Sequence, residues 1–171
     1  MYRLLVADDE IIERKVLLKT LQKNLEGQCE LFQAENGREA LEIYEKEKIQ
    51  IAILDIEMPG INGIQAAEKI REKDKNCCII FLTAYDEFSY AQEALRLGAA
   101  EYLLKPCNTQ KLYQAVRRAA AGLSERERKT RMDTRNQKIF SEIDQYAKKE
   151  LRSRNPRPEL FSIIIPFLRA F

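Results

Sequence analysis

The 171 residues contain no histidine. That absence removes Ser-His and Cys-His catalysis. It also means that any phosphoryl group carried on histidine must come from another protein. The four cysteines, Cys29, Cys77, Cys78 and Cys107, form no CxxC pair, so with no histidine to help, a zinc site is disfavoured. Cys77 and Cys78 adjoin one another in an apolar run and read as small core residues in a reducing compartment. Neither GxGxxG nor GxxxxGKS/T occurs, which disfavours a dinucleotide enzyme and a P-loop NTPase. No apolar run approaches the ~18 residues of a membrane span. The apolar part of the N-terminal MYRLLVADDE is too short for a signal peptide. The expectation is a cytoplasmic protein with no membrane partner. There is little net charge either, only +2, so the average makes no case for nucleic acid.

What is present is unevenly distributed. Residues 1–122 carry 17 Lys/Arg against 20 Asp/Glu, a net of −3; residues 123–158 carry 11 against 6, a net of +5. The length suits one domain with an extension, or two small domains. Apolar runs alternate with helical patterns five times. The expected strands are Tyr2–Ala7, Glu30–Ala34, Ile49–Leu54, Cys77–Leu82 and Glu101–Leu104. The expected helices are Ile11–Leu25, Arg38–Lys48, Ile64–Lys73, Phe88–Leu97 and Thr109–Leu123, with Ile11, Leu18, Leu21 and Leu25 marking the apolar face of the first. The strands are unbroken apolar runs, as parallel strands buried on both faces should be. The fold class predicted is α/β, a flavodoxin-like doubly wound parallel sheet in the order 2-1-3-4-5, over residues 1–122.

Chemistry gathers at the strand ends. The first strand stops at Asp8-Asp9, the third at Asp55, the fourth at Thr83 and the fifth at Lys105. In this topology ligands bind beyond the carboxyl ends of the strands at the switch point, where strands one and three are neighbours. Asp8, Asp9 and Asp55 would then converge, with Thr83 and Lys105 on the rim. Taken singly, the acid pair is an ordinary helix N-terminus and Thr83 an ordinary strand-end residue; only the set points to a site. Three carboxylates in one crevice need a cation, and hard oxygen ligands point to Mg²⁺, Mn²⁺ or Ca²⁺. Mg²⁺ suits a site that still awaits a phosphoryl group. Asp55 is the candidate nucleophile on phosphorus, Lys105 the charge-neutralising amine, and the Thr83 hydroxyl a donor to a phosphoryl oxygen.

Four stretches, LLVADDE, ILDIEMPGING, FLTAYDE and GAAEYLLKPC, resemble the receiver domain of two-component response regulators. The resemblance implies that Asp55 accepts a phosphoryl group from a cognate histidine kinase. It implies that Asp8, Asp9, Asp55 and the main-chain carbonyl of Glu57 surround Mg²⁺ (or Mn²⁺). It implies a cis peptide before Pro106, and a switch pair formed by Thr83 and Tyr102, whose movement alters the surface of the fourth helix, fifth strand and fifth helix. The stretch YDEFSYAQEALRLGAAEYLLKP looks closer to regulators with an AraC-type DNA-binding output half. No helix-turn-helix of that type follows residue 122. The expectation is therefore a transcription regulator that reaches DNA only through an output domain not visible here. Such a protein catalyses its own phosphorylation and dephosphorylation and turns over no metabolite. The enzyme alternative is a haloacid-dehalogenase-type phosphatase, which also uses a strand-end Asp with Mg²⁺, a Thr and a Lys. It needs a second Asp two residues after the first, where this chain has Glu57.

Residues 123–155 read as a charged helical linker. Met132, Asn136, Ile139, Ile143 and Tyr146 recur at heptad spacing, the pattern of a short coiled coil that pairs two copies. A solvated linker helix, or nucleic-acid contact by its Arg/Lys, are the alternatives. Asn155-Pro156-Arg157-Pro158 breaks the helix, and the apolar tail within 156–171 can dock, pair, or begin an output region.

Overall fold

The computed structural model describes residues 1–84 and 87–151, the side chains of residues 146, 147, 150 and 151 excepted. The chain divides into two units, Met1–Leu123 and Ser124–Phe171. In the first unit the elements are β1 (Tyr2–Ala7), α1 (Ile11–Asn24), β2 (Cys29–Ala34), α2 (Gly37–Glu47), β3 (Ile51–Leu54), α3 (Gly63–Lys73), β4 (Cys78–Thr83), α4 (Phe88–Arg96) and β5 (Glu101–Leu104). The last helix, α5, runs from Thr109 to Leu151.

The five strands form one sheet in the order β2-β1-β3-β4-β5, every pair parallel. β3 and β4 are wholly buried and β1 nearly so, because helices cover both faces of the sheet centre. The edge strands β2 and β5 are only partly covered. Alternate strand residues feed two cores. Leu5, Ala52, Leu54, Ile79 and Phe81 meet α2, α3 and α4; Leu4, Val6, Ile51, Ile53 and Ile80 meet α1 and the start of α5. Each such buried aliphatic or aromatic side chain contributes about 1.5–3 kcal/mol.

Local signals set the boundaries. The Asn36 side chain accepts the Glu39 N–H to start α2, and Asn62 with Gln65 makes a reciprocal capping box on α3. Lys48, in the left-handed region at φ 50°, ends α2, so Ile49 and Gln50 turn toward the sheet and β3 begins only at Ile51. On α5, Leu112, Ala115, Val116, Ala119 and Leu123 recur at helical spacing and fill the second core. No Gly or Pro interrupts Leu123–Leu151, and the helix continues through it.

One expectation is corrected. Ile11 is not on the buried face of α1: it is 52% exposed, and Ile12 and Val16 are exposed beside it. The face turned inward carries Arg14 and Leu21 instead, because the Arg14 guanidinium serves main-chain and side-chain oxygens below it. Tyr146 of the heptad seam has a side chain outside the described set. The Asn155–Pro158 break and residues 156–171 also lie outside the described residues.

Candidate functional site

Hydrogen bonds just beyond the ladders bring the strand ends together. Asp8 N–H donates to the Ala34 carbonyl, Asp55 N–H to Ala7, and Lys105 N–H to Thr83. The first residue past β1, β3 and β5 is thereby held in sheet register. Asp8, Asp55 and Lys105 share the strand parity that faces α1. The loop after β3 is drawn in by glycine: Gly63 N–H bonds to the Ile56 carbonyl at 2.9 Å. A Cβ on Gly63 would stand 2.0 Å from the Asp55 carbonyl oxygen, so only glycine permits this approach. Gly37 plays the same part at the head of α2, where a Cβ would stand 2.1 Å from the Ile61 carbonyl oxygen.

The acids meet as the sequence suggests. Ligand oxygens of Asp8, Asp9 and Asp55 all lie within 4.8 Å of one another. Asp8 is 1% exposed and Asp55 6%, while Asp9 faces solvent. Lys105 reaches into the cluster, its amine 2.7 Å from Asp55 Oδ2 and 2.9 Å from Asp8 Oδ2. Burial pushes the Asp55 carboxyl above the usual range, against the pull of the Lys105 ammonium; the nearby Asp8 charge adds to the rise. Burial alone would lower the Lys105 amine, but hydrogen bonds to Asp55, Glu13 and Asp8 overcome it and hold the amine above the usual lysine value.

A divalent cation fits this arrangement. The donors are hard carboxylate oxygens. The Glu57 N–H lies near enough to the Asp55 carboxylate to favour its charged form, yet among the described residues no donor reaches Asp55 Oδ1 in hydrogen-bonding geometry, although that atom is buried. The carboxylate that carries this orphaned oxygen gathers with those of Asp8 and Asp9, which is the chemistry of a divalent-cation site.

Thr83 is fully buried at the end of β4. Register pairs Phe81 with Tyr102 and Thr83 with Leu104. Thr83 and Tyr102 therefore point to the same face of the sheet, and the Tyr102 ring, half-buried, packs against the core under α2, α3 and α4. The Lys105–Pro106 peptide is cis. The Glu57 side chain is not one of the three clustered acids and accepts a hydrogen bond from the Tyr90 hydroxyl on α4.

Three participants were not visible in the sequence. Glu13 on α1 places Oε2 2.6 Å from the Lys105 amine. Arg14, 3% exposed, donates to the Asp8 carbonyl at 2.5 Å and pairs with Glu35 at 2.8 Å, tying the Asp8 turn to the end of β2. Tyr90 is the third. Nothing but tertiary contact distinguishes these from other charged or aromatic helix residues. The one hint was a charged residue at position 14, in phase with Leu21 and Leu25 on the face that packs against the sheet.

The pattern of the response regulator receiver domain matches residues 4–117. The chain belongs to the response regulator receiver family. The receiver is 34% identical over 123 residues to the uncharacterized transcriptional regulatory protein YesN of Bacillus subtilis, covering 72% of this chain and 33% of YesN. It is 40% identical over 134 residues to the sensory transduction protein LytT of Oceanobacillus iheyensis, covering 76% of this chain and 53% of LytT. Among solved structures, the REC domain of AraT, a response regulator from Geobacillus stearothermophilus, superposes with a TM-score of 0.68 at 38% identity. That match covers 74% of this chain and 98% of the AraT domain. The chain thus spans about a third of YesN and about half of LytT. Receivers of this family use Mg²⁺ at an acidic pocket and are phosphorylated by histidine kinases. The comparisons give no support to the haloacid-dehalogenase alternative. Among the described residues, no helix is long and apolar enough to cross a membrane.

Proposed function

We propose that Asp55 is the phosphoacceptor of this receiver and that its phosphorylation, by a cognate histidine kinase, switches an output. The observation that carries the reading is the Asp55 carboxylate itself. One of its oxygens is bound by Lys105, the other is buried with no partner among the described residues, and the carboxylate gathers with those of Asp8 and Asp9. In the forward step an Asp55 oxygen bonds to phosphorus while the bond from phosphorus to the donor's leaving atom breaks. In the reverse loss, a water oxygen bonds to phosphorus, the acyl-phosphate P–O bond breaks, and the Asp55 carboxylate is restored as phosphate departs with the water's proton. Asp8, Asp9, Asp55 and the Glu57 main-chain carbonyl would hold Mg²⁺ or Mn²⁺. The ion supplies positive charge that neutralises the transferring phosphoryl oxygens. Lys105 neutralises another phosphoryl oxygen, and the Thr83 hydroxyl donates to a third. Thr83 and Tyr102, on one face of neighbouring strands, carry the change toward α4, β5 and α5.

The chain turns over no metabolite in this reading. It works in the cytoplasm, a placement supported by four free cysteines. Its output is transcription, through an output domain not visible in this chain, in keeping with its similarity to the transcriptional regulatory protein YesN. Phosphorylation promotes pairing of two copies along α5, where Met132 is 65% exposed and the neighbours Ile139 and Phe140 are exposed about two turns on. Acetyl phosphate with Mg²⁺ is expected to label Asp55 in the full chain and to leave Asp55→Asn unlabelled. Absence of label, or label on another residue, would overturn the phosphoacceptor assignment. Sedimentation with and without beryllofluoride tests the pairing, and an unchanged mass at high protein concentration would count against it.

A further inference from the structure

Lys105 has three N–H donors. Three carboxylates surround them: Glu13 at 2.6 Å, Asp55 at 2.7 Å and Asp8 at 2.9 Å. The amine is therefore fully committed before any phosphoryl group arrives. The assigned chemistry asks it to bind a phosphoryl oxygen as well, so one carboxylate has to let go. The three are not equal in what release costs. Asp8 and Asp55 are almost wholly buried, and water cannot replace the amine for them. The Glu13 side chain is 41% exposed at the rim, on the third residue of α1, and is hydrated when it turns outward.

We propose that Glu13 is a displaceable counter-ion of Lys105: it holds the amine's third donor in the unphosphorylated chain and yields it to the phosphoryl oxygen on Asp55. Glu13 touches neither donor nor phosphoryl group; it acts through Lys105 and is a positioning residue. The inference rests on Asp55 being the phosphoacceptor. Its kinetic consequence is one-sided. The exchange happens on the way to the phosphorylated state, so Glu13 slows phosphorylation. During hydrolysis Glu13 is already released in both the ground state and the transition state, so it leaves that rate alone.

The test is acetyl phosphate labelling of the full chain with Mg²⁺, which avoids any effect on kinase docking. Glu13→Gln and Glu13→Asp are compared with wild type. The Asp variant keeps the negative charge but, one methylene shorter, loses the contact. Both are expected to phosphorylate about two- to fivefold faster, within the span for losing one half-exposed ion pair. Both should bind beryllofluoride with Mg²⁺ more tightly by a similar factor, and hydrolyse at the wild-type rate within about twofold. If Glu13→Gln alone is faster, only the field at the rim matters and the displacement idea fails. Unchanged phosphorylation in both variants, or hydrolysis that moves in step with it, overturns it as well. Wild type that takes no label overturns the phosphoacceptor reading and this inference with it. Labelled wild type with unresponsive variants overturns this inference alone.

Discussion

Replacing Lys105 by Met removes the cation from the acid cluster while keeping much of the side-chain volume. At the observed 2.7 and 2.9 Å, and an effective dielectric of about 20, each carboxylate–amine attraction is about 6 kcal/mol gross. Asp8 and Asp55, within 4.8 Å, repel by at least about 3.5 kcal/mol on the same scale. With the amine present the attractions dominate; without it two buried like charges face one another. Removing one partner of a buried pair costs about 3–5 kcal/mol, the rest being recovered by relaxation and protonation. For the first unit that is a fall in Tm of roughly 10–20 °C. The loss must depend on pH. The folded Asp55 carboxyl already titrates above its ordinary range, so the folded state holds that proton more tightly than the unfolded chain. Its stabilising effect is full below the unfolded value and is lost as pH rises through the folded one. Lys105 titrates above its ordinary value, so in wild type the ammonium stays charged at every pH below the lysine range, and what it contributes there changes only with the charge of the carboxylates it faces. Lys105→Met is thus expected to be close to wild type at about pH 4 and far less stable at about pH 7.5. Added MgCl₂ should stabilise the variant more than wild type, because the ion's charge substitutes for the amine. Thermal melts at the two pH values, with and without MgCl₂, decide it. Equal losses at both, with no rescue by the ion, would show that Lys105 matters for packing and not for charge.

The glycines offer a contrast. Gly63→Ala is expected to destabilise by about 1–3 kcal/mol or more and to weaken beryllofluoride binding, since its Cβ would collide with main chain that cannot yield. Gly122→Ala, with nothing within 4 Å inside α5, should stabilise by about 0.5–1 kcal/mol; melts that rank the two the other way would refute the close-approach argument. Burial pushes the Cys77 thiol up to about 12, so alkylation of the native chain near neutral pH should modify Cys29 and Cys107 well before Cys77. Peptide mapping that finds Cys77 modified as fast as Cys29 would contradict the buried core. A chain ending at Leu123 keeps every core residue that α5 supplies to the first unit and is expected to melt cooperatively on its own. A non-cooperative melt would show that the later turns of α5 are needed.

Read by itself, the amino-acid order determined the architecture and the main site. Unbroken apolar runs alternating with helical patterns specify buried parallel strands. Once the strand order follows, Asp8, Asp9, Asp55, Thr83 and Lys105 must crowd one edge, because each ends a strand. For Asp8, Asp9, Asp55 and Lys105 the inference succeeds because strand ends are positions along one dimension. Tertiary structure alone decided what lies around that edge. Ile11 had the phase of a core residue and proved exposed, while charged Arg14 went inside, because an unsatisfied Asp8 carbonyl and the Glu35 carboxylate make a better home for a guanidinium than for a methyl group. Glu13 closes the third donor of Lys105, and the Tyr90 hydroxyl donates to Glu57, through contacts between residues 92 and 33 positions apart in the chain. Hydrogen-bond partnerships of this kind depend on distances of a few tenths of an ångström between separate helices and strands, and no periodicity encodes them.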